Sequence, residues 1–322
     1  MEGKRIKVAV TGAVFPEILE RLAGHFEVED NRSDRVLSPQ DLANLLSDKA
    51  GAVTTLRDRI DSGLLAQCPN LRAVANVAVG YDNIDVTACT QRGVIVMNTP
   101  GVLVETTADL AFALMLAAAR RLCEAERSVR AGAWKRWALQ QYLGHDVHGA
   151  TLGIVGMGRI GQALARRARG FDMTVLYHNR RGLDASIETD LRAKLVSLED
   201  LLRGADFVVL LVPYSSVTHH LIGAPQIKLM KRSAFLINVA RGGVVDDAAL
   251  VRALREGTIA GAGLDVFENE PSLHAGFLTL DNVVLTPHIG SSSEATRRRM
   301  ALCAADNLIS ALIGKGSLNR VN

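Results

Sequence analysis

The sequence contains few aromatic residues and few cysteines, and each shortage argues against a class of protein. Phe, Trp and Tyr make up 4% of the 322 residues and the formal net charge is only +3, so neither the stacking surface nor the basic stripe of a nucleic-acid-binding protein is expected. The four cysteines, Cys68, Cys89, Cys123 and Cys303, are widely spaced and include no Cys-x-x-Cys pair. This spacing favours buried thiols in a reducing compartment over a disulfide framework or a zinc site.

Long hydrophobic runs are also missing. The longest, Leu110 to Ala119, is too short to span a bilayer, and the first residues, Met1 to Lys7, lack the apolar core of a signal peptide. We therefore expect a cytoplasmic protein with no membrane partner and no nucleic-acid partner. A chain of 322 residues is long for one domain and suits two compact ones.

The segment from Thr151 to Gly161 is the most informative part of the chain. An apolar strand leads directly into Gly156, Gly158 and Gly161, and an alanine-rich helix, Ile160 to Arg169, follows. In dinucleotide-binding folds the first glycine allows a tight turn, the second lets the pyrophosphate approach the backbone, and the third lets the helix pack against the strand. The segment therefore predicts a dinucleotide phosphate site rather than a simple turn.

The residues after the next predicted strand, Met173 to Tyr177, indicate which dinucleotide is bound. An enzyme that uses NAD(H) would carry Asp or Glu there, about 20 residues beyond the glycines, whereas this chain has Asn179, Arg180 and Arg181. Two guanidinium groups can bind a 2′-phosphate that a carboxylate would repel. We therefore predict that NADP(H) is preferred, with NAD(H) as a weak second cofactor. The alternative is that both arginines are solvated loop charges.

Apolar runs typical of strands alternate with helix-like segments such as Pro39 to Leu46, which predicts an α/β fold throughout. In the first part the predicted strands are Ile6 to Val10, Ala52 to Leu56, Leu71 to Val77 and Val94 to Met97. In the second part they are Thr151 to Val155, Met173 to Tyr177, Asp206 to Leu211, Ala234 to Val239, Ala260 to Asp265 and Asn282 to Thr286. Six strands with intervening helices match a doubly wound parallel sheet, whose ligands bind at the carboxyl ends of the strands.

The segment between the two parts predicts a hinge followed by a long helix. Asn98 to Gly101 is the expected hinge. Thr106 to Asp109 looks like a capping box that opens one helix running to Arg130, and Gly132 would end it.

Three charged residues follow late strands and form a coherent catalytic set: Arg241, Glu270 and His288. Reduction of a carbonyl in an acidic substrate needs a cation, a proton donor and a group that keeps the donor charged. Imidazole titrates near neutral pH, so His288 is the natural acid, and Glu270 would orient its ring and favour the imidazolium form. Arg241 can bind a carboxylate and polarise the adjacent ketone. Taken singly, these residues also fit a helix cap, a turn and a surface ion pair.

These segments resemble the D-2-hydroxyacid dehydrogenases over essentially the whole chain. The resemblance is carried by the glycine segment, by Asn238 to Gly243, by Leu264 to Pro271 and by Thr286 to His288. Among those enzymes the chain is most similar to the glyoxylate/hydroxypyruvate and 2-ketogluconate reductases, as indicated by Ala108 to Arg120, Gly144 to Gly149 and Tyr177 to Arg180.

The resemblance implies a fold and a set of roles. A Rossmann doubly wound cofactor domain, residues 99–290, would be inserted into a smaller flavodoxin-like substrate domain, residues 1–98 plus 291–322, on which a terminal helix, Ser293 to Ile313, packs. Arg241 would bind and polarise a 2-oxo acid, Glu270 would support His288, and His288 would donate the proton as hydride reaches C2. Closure of the two lobes would expel water.

The residues expected to contact ligands follow from the motifs and the resemblance together. The cofactor candidates are Thr107, Gly156, Gly158, Arg159, Ile160, Gly161, Asn179, Arg180, Arg181, Val212, Pro213, Val239, Ala240, Asp265 and Gly290. Asp265 would hold the nicotinamide carboxamide. The substrate candidates are Leu56, Val79, Gly80, Arg241 and His288, with backbone N–H groups of Val79 and Gly80 on the substrate carboxylate. A simple turn explains Val79 and Gly80 equally well from sequence alone.

Relatives of this kind are dimers, so we expect a homodimer. An arm residue, Trp134 or Trp137, would reach the site, although either tryptophan could equally anchor the dimer core. Arg57 would suit a polyhydroxylated acid such as 2-ketogluconate, but Arg57 to Arg59 also fits an exposed ion-paired turn.

No metal is predicted. His219 and His220 are adjacent in a segment expected to be extended, so their side chains would point in opposite directions, and no nearby carboxylate completes a ligand set for them or for His145 and His148. Hydride transfer from NADPH also needs no metal. Two other functions stay open: a cofactor-sensing corepressor that binds partner proteins, and a dehydrogenase of the same fold acting on phosphite or formate.

Overall fold

The computed structural model describes residues 5–314 and 319–322 and divides into two compact units. The first comprises Met1–Leu103 with Ser292–Asn322, and the second comprises Val104–Ser291. All four cysteines are free. The prediction of buried thiols is confirmed for Cys68 and Cys89 and is wrong for Cys123 and Cys303, which are partly exposed. In the part of the chain that the structure describes, every helix is too short or too polar to cross a membrane.

The first unit is a five-stranded parallel sheet covered by helices. Its elements are β1 Lys7–Val10, α1 Pro16–Ala23, β2 Glu27–Asp30, α2 Pro39–Leu46, β3 Gly51–Thr54, α3 Ser62–Gln67, β4 Ala73–Asn76, α4 Val86–Gln91, β5 Ile95–Met97 and the carboxyl-terminal α12 Glu294–Leu312. The strand order is β2-β1-β3-β4-β5, which is the flavodoxin-like order.

The terminal helix is one of the helices that bury the central strands of the first sheet. Every residue of β3 and β4 is buried, because helices cover both faces of a parallel sheet. Ala304 and Leu308 of α12 pack in one cluster with Val10 and Val53. A Cβ on Gly51 would lie 2.8 Å from Leu308 Cδ1, so glycine allows the helix to approach the strand. The prediction that the terminal helix packs on the first part of the chain is confirmed.

The second unit is a seven-stranded parallel sheet. Its elements are α5 Val104–Ala119, α6 Leu122–Arg130, β6 Thr151–Val155, α7 Arg159–Arg169, β7 Thr174–His178, α8 Ala185–Leu191, β8 Ala193–Leu195, α9 Leu198–Gly204, β9 Phe207–Leu210, α10 Ala224–Ile227, β10 Phe235–Asn238, a 3₁₀ helix Gly242–Val244, α11 Asp247–Glu256, β11 Gly261–Leu264, a 3₁₀ helix Ala275–Thr279 and β12 Val283–Leu285.

The strand order of the second sheet fixes where a ligand binds. The order β12-β11-β10-β9-β6-β7-β8 is a Rossmann order. The chain adds strands to one side of β6 first and then to the other, so the strand order reverses between β6 and β9. Ligands of such sheets bind outside the carboxyl ends of the strands at that reversal. The predicted fold class, a doubly wound sheet inserted into a smaller α/β unit, is therefore confirmed, with one more strand in the second sheet than predicted.

The prediction of one helix running to Arg130 is wrong. Helix α5 ends before Arg121, whose φ of 51° lies in the left-handed region, and α6 begins after it. The Arg121 guanidinium donates to both carboxylate oxygens of Glu124, at 2.8 and 2.7 Å, which stabilises the break. Helix α5 also begins at Val104, so Thr106 to Asp109 lie inside its first turns and do not form a cap.

Candidate active site

The glycine turn after β6 has the geometry that a phosphate site requires. Gly156 has a left-handed φ of 104°, and a Cβ there would lie 2.8 Å from backbone atoms of the loop after β9. A Cβ on Gly161 would lie 2.7 Å from the Gly156 carbonyl oxygen, whereas a Cβ on Gly158 would meet nothing within 4 Å and would occupy the open space before α7. The N–H groups of Arg159 and Ile160 in the first turn have no intrahelical acceptor. These residues fit a dinucleotide pyrophosphate.

Asn179 supports this turn directly. Its side-chain oxygen accepts a hydrogen bond of 2.8 Å from the backbone N–H of Met157, inside the glycine turn. The cofactor candidate Asn179 therefore contributes to the shape of the phosphate site.

The two arginines that follow Asn179 are exposed at the end of β7. Among residues 5–314 and 319–322, neither Arg180 nor Arg181 has a hydrogen-bond or ion-pair partner. The loop that carries them is held by the buried Tyr177, whose hydroxyl oxygen accepts a hydrogen bond of 2.8 Å from the backbone N–H of Leu183 and donates to Glu188. Two unpaired guanidinium groups thus stand on a fixed loop where a ribose phosphate would be met.

The other cofactor candidates lie beside the same carboxyl edge. Val212 and Pro213 follow β9, and the buried Val239 and Ala240 follow β10. Thr107 on α5 adjoins Gly290 after β12, because a Cβ on Gly290 would lie 3.5 Å from the Thr107 methyl group.

His288 and Glu270 form the ion pair that the sequence predicts. His288 Nδ1 lies 2.8 Å from Glu270 Oε2, and the other carboxylate oxygen accepts a hydrogen bond of 2.9 Å from the Phe267 backbone N–H. The two side chains are 32% and 34% exposed. With Nδ1 engaged, Nε2 is the ring nitrogen that can exchange a proton with a ligand.

The electrostatics of this pair keep Glu270 ionised. Burial alone would raise the pKa of Glu270, but the hydrogen bond and charge of His288, the Phe267 N–H and the charge of Arg241 together lower it below its ordinary value. The carboxylate is therefore present throughout the neutral range, where it can accept the hydrogen bond from His288 Nδ1.

Asp265 holds the turn that carries His288. It is 1% exposed, and its carboxylate accepts hydrogen bonds from Thr286 Oγ1 at 2.7 Å and from the backbone N–H groups of Ile289 and Gly290 at 2.7 and 2.8 Å. Burial raises the pKa of Asp265, and these donors oppose the rise. His288 itself has a φ of 54°, a conformation that costs a non-glycine residue about 1 kcal/mol and persists only where neighbours impose it.

A side chain that the sequence reasoning missed shapes the turn that carries Arg241. The buried Asn238 at the end of β10 donates from Nδ2 to the Arg241 carbonyl oxygen at 2.9 Å and accepts from the Ala240 N–H at 3.1 Å. The Arg241 guanidinium donates to the Ala240 carbonyl oxygen at 2.8 Å. The sequence could have indicated these contacts, because Asn238 lies at a strand end and Asn side chains often bond to backbone groups two or three residues onward.

Gly242 brings this turn against the segment that carries Glu270. A Cβ on Gly242 would lie 1.8 Å from the Phe267 carbonyl oxygen and 2.4 Å from the Glu268 backbone nitrogen. Only glycine permits such an approach, because backbone atoms on the other side cannot rotate away. Arg241, Glu270 and His288, which stand after three neighbouring strands, are therefore brought to one edge by backbone packing.

The substrate candidates Val79 and Gly80 lie in the first unit, in the loop after β4. Their carbonyl oxygens accept hydrogen bonds from the side-chain amides of Asn98 at 2.8 Å and Asn76 at 3.1 Å. Within the described ranges, their own backbone N–H groups have no hydrogen-bond acceptor. The loop therefore offers fixed and unused donors.

The structure also shows the surroundings of the remaining substrate-wall candidates and of the two tryptophans. Leu56 lies in the turn after β3 and is 36% exposed. Arg57 Nη2 lies 2.5 Å from Asp34 Oδ1, which favours the ion-paired turn over a substrate contact. Trp134 and Trp137 are 53% and 75% exposed in this chain.

His219 and His220 do not have the arrangement that the sequence predicts. The two imidazole rings do not point in opposite directions but are stacked, with ring centroids 3.9 Å apart. A carboxylate distant in sequence, Glu268, lies 2.6 Å from His220 Nε2. The cause is the backbone at His220, whose φ of 49° interrupts the alternation of an extended chain.

Comparison with known proteins gives one family. Residues 112–290 match the model of the D-isomer specific 2-hydroxyacid dehydrogenase NAD binding domain. A glyoxylate reductase from Pyrococcus horikoshii is 51% identical over 94% of this chain and 92% of that protein. A Thermus thermophilus protein of known structure superposes with a TM-score of 0.92 at 42% identity, over 98% of this chain and 100% of that one.

A second solved structure carries ligands. It is an NADPH-dependent glyoxylate/hydroxypyruvate reductase from Sinorhizobium meliloti in complex with NADP and malonate, similar to this chain with a TM-score of 0.84 at 35% identity over 98% of this chain and 97% of that one. The family match covers more than half of the chain and the identities extend over nearly all of it. The chain therefore belongs to the D-isomer-specific 2-hydroxyacid dehydrogenase family.

Proposed function

We propose that this protein is an NADPH-dependent reductase of small 2-oxo acids, with glyoxylate as the first candidate substrate and hydroxypyruvate and 2-ketogluconate as the others. The observation that carries the proposal is the His288–Glu270 pair, with Nδ1 and Oε2 2.8 Å apart, on the sheet edge that also holds Arg241. Relatives named glyoxylate reductase at about half identity support the choice of substrate.

The roles of the three residues follow from their contacts. NADPH, when bound in the glycine turn, would supply the hydride that reaches C2 of the acid. His288 Nε2 donates the proton to the carbonyl oxygen, so the ketone becomes a hydroxyl group as the C2–H bond forms. Glu270 holds the imidazolium in place through Nδ1, and Arg241 polarises the carbonyl and binds the acid group.

We also propose that the substrate carboxylate is bound by the N–H groups of Val79 and Gly80. Their carbonyl oxygens are held by Asn98 and Asn76, so the donors are oriented before a ligand arrives, which reduces the entropy lost on binding. Leu56 belongs to the same unit and is proposed as an apolar wall.

The test of the function is NADPH oxidation by the purified protein with glyoxylate, hydroxypyruvate, 2-ketogluconate and pyruvate in parallel, repeated with NADH. Turnover on one of the first three supports the proposal and ranks the substrates. No turnover on any of them by protein that binds NADPH would overturn it, and would favour phosphite or formate oxidation or a corepressor role.

Replacing both Arg180 and Arg181 by alanine is expected to raise KM for NADPH by about 100-fold or more, since each charge-assisted contact to a phosphate contributes about 1.5–3 kcal/mol. KM for NADH should change little, because that cofactor has no 2′-phosphate. Steady-state kinetics with each cofactor measures the two KM values and their ratio. The matched control is Arg203→Ala, which removes an exposed guanidinium paired with Glu199 on α9. Equal losses for the two cofactors would contradict the assignment.

Replacing Glu270 by glutamine is expected to move the alkaline decline of kcat to lower pH. The lowered pKa of Glu270 means that the wild-type carboxylate is charged at neutral pH, and the amide cannot stabilise an imidazolium in the same way. In the wild type, the ionised Glu270 carboxylate stabilises the folded protein above about pH 4.5. This stabilisation is lost as the pH falls through the lowered pKa that Glu270 has in the folded protein. Glu199→Gln, on an exposed helix, is the control. A pH profile of kcat with an unshifted alkaline limb would contradict the pairing role.

We further propose that the protein is a homodimer, formed through the segment after α5 that runs from Leu122 to Leu143. Large apolar side chains are exposed there, namely Leu122, Val129, Trp134, Trp137, Leu139 and Leu143. These six side chains lie within one segment of the chain, and exposed apolar side chains that cluster mark protein–protein contacts. Sedimentation equilibrium tests the assignment, and a monomer at micromolar concentration would contradict it.

A further inference from the structure

A second group of titratable side chains lies on the second unit, outside the residues assigned to catalysis. His219 and His220, after β9, and Glu268, after β11, each offer one ligand atom, and these atoms all lie within 4.8 Å of one another. His219 is exposed, and the side chains of His220 and Glu268 are 38% and 26% exposed. Solvent and solutes can therefore reach a group that two different loops assemble.

The chemistry of the group is that of a transition-metal site. Two imidazoles and one carboxylate are the donor set found in three-ligand zinc sites that keep a fourth position for water. An imidazole binds a metal through a ring nitrogen that carries no proton. We propose that His219, His220 and Glu268 bind one divalent transition-metal ion of the zinc class.

The distances allow this with small side-chain movements. Ligand bonds of about 2.0–2.1 Å in a tetrahedron place ligand atoms about 3.3 Å apart. His220 Nε2 and Glu268 Oε1, at 2.6 Å, need to separate by less than an ångström as the ion replaces the proton between them. His219 is exposed and can rotate, so the backbone need not move.

The surroundings of the three ligands also favour a cation. Glu268 exchanges backbone and side-chain hydrogen bonds with the buried Asp247, at 3.1 and 3.4 Å. These contacts with Asp247 hold Glu268 in place beside His220. A metal-bound histidine commonly keeps its second ring nitrogen on an oxygen, and the Tyr214 hydroxyl lies 3.2 Å from His219 Nδ1.

A metal ion bound by His219, His220 and Glu268 would join two loops at the sheet edge that carries the catalytic residues. The backbone N–H of His220 donates to the Gly243 carbonyl oxygen at 2.8 Å, and Glu268 stands two residues before Glu270. The ion would thus tie the loop after β9 to the segment after β11, and a ligand that binds only the folded state raises the melting temperature.

The test is calorimetric titration of ZnCl₂ into tag-free, metal-stripped, full-length protein at pH 7.5. We expect one site per chain, with affinity at least tenfold weaker in His219→Ala and in Glu268→Gln. His25→Ala, which removes an exposed histidine of the first unit, should bind zinc as the wild type does. Reduction of the 2-oxo acid in the absence of added zinc should be unchanged in His219→Ala, because this side chain is assigned no catalytic role.

A second readout does not depend on the stability of the variants. Co²⁺ bound by nitrogen and oxygen ligands in a tetrahedron gives visible absorption bands, which should appear in the wild type and be lost in His219→Ala. The proposal is overturned if zinc does not bind, or if it binds equally to wild type, His219→Ala and Glu268→Gln. Either result is separate from the assays of 2-oxo acid reduction, because the readouts require neither NADPH nor turnover.

Discussion

His288→Ala is expected to lower kcat by about 10²–10⁴-fold, which is the usual contribution of a positioned general acid. The side chain has one partner in the site, Glu270 at 2.8 Å, and the ring nitrogen not used in that contact is the proton donor. Without it the alkoxide that forms as hydride arrives must take its proton from water. Both kcat and kcat/KM should fall by similar factors, because the donor acts in the transition state and not in binding. Steady-state kinetics with saturating NADPH measures both constants.

The control for this variant separates chemistry from folding. His148→Ala removes an exposed histidine before β6 and should leave kcat unchanged. NADPH binding to His288→Ala, followed by fluorescence, should also match the wild type, since the glycine turn lies on other loops. Turnover in His288→Ala close to that of the wild type would end the proton-donor assignment.

Gly242→Ala is expected to damage both stability and activity. The added methyl group would lie 1.8 Å from a backbone carbonyl oxygen, so the Arg241 turn or the Phe267–Glu270 segment has to move. Overpacking of this kind costs about 3 kcal/mol or more, which corresponds to a drop in melting temperature of roughly 6–12 °C for a unit of this size. The displaced Arg241 and Glu270 should lower kcat/KM by at least about 100-fold. Differential scanning calorimetry and steady-state kinetics measure the two effects.

Gly170→Ala is the matched control. Gly170 has a φ of −69°, and the nearest atom to its added Cβ would lie 3.5 Å away, which is an ordinary contact. This variant should keep the wild-type melting temperature and activity. If Gly242→Ala behaved in the same way, the close packing between the two catalytic segments would not be a requirement of the fold.

The sequence predicts every central strand of the two sheets, together with the apolar edge strands β5 and β12. Strands covered by helices on both faces appear as continuous apolar runs, as in Phe207–Leu210 and Phe235–Asn238. The two strands that it misses, β2 with sequence EVED and β8 with sequence AKL, are both at sheet edges. Both carry charged residues, which are common on solvent-facing edge strands, so their composition does not distinguish them from loops.

In the candidate site, the sequence predicts the residues that follow strands but not the contacts that depend on loop conformation. Arg241, Glu270 and His288 could be selected from the sequence because each follows a predicted strand and the strand ends of a parallel sheet converge. The hydrogen bonds that Asp265 accepts from the backbone of Ile289 and Gly290 could not be predicted, because they depend on a loop conformation that no periodicity encodes. The pair His219 and His220 was misjudged for a related reason: a left-handed φ at a non-glycine residue has no clear signal in sequence.

Left-handed backbone at His220, Asn269 and His288 has a consequence for protein engineering. Replacement of such residues by glycine would relieve the steric strain of each position. In this chain the three positions occur in the loops that follow β9, β11 and β12, where the side chains of two of them have assigned chemistry. A design that relaxes them would raise the melting temperature and remove the proton donor at the same time. Stabilising substitutions should instead be sought on the helices that cover the two sheets.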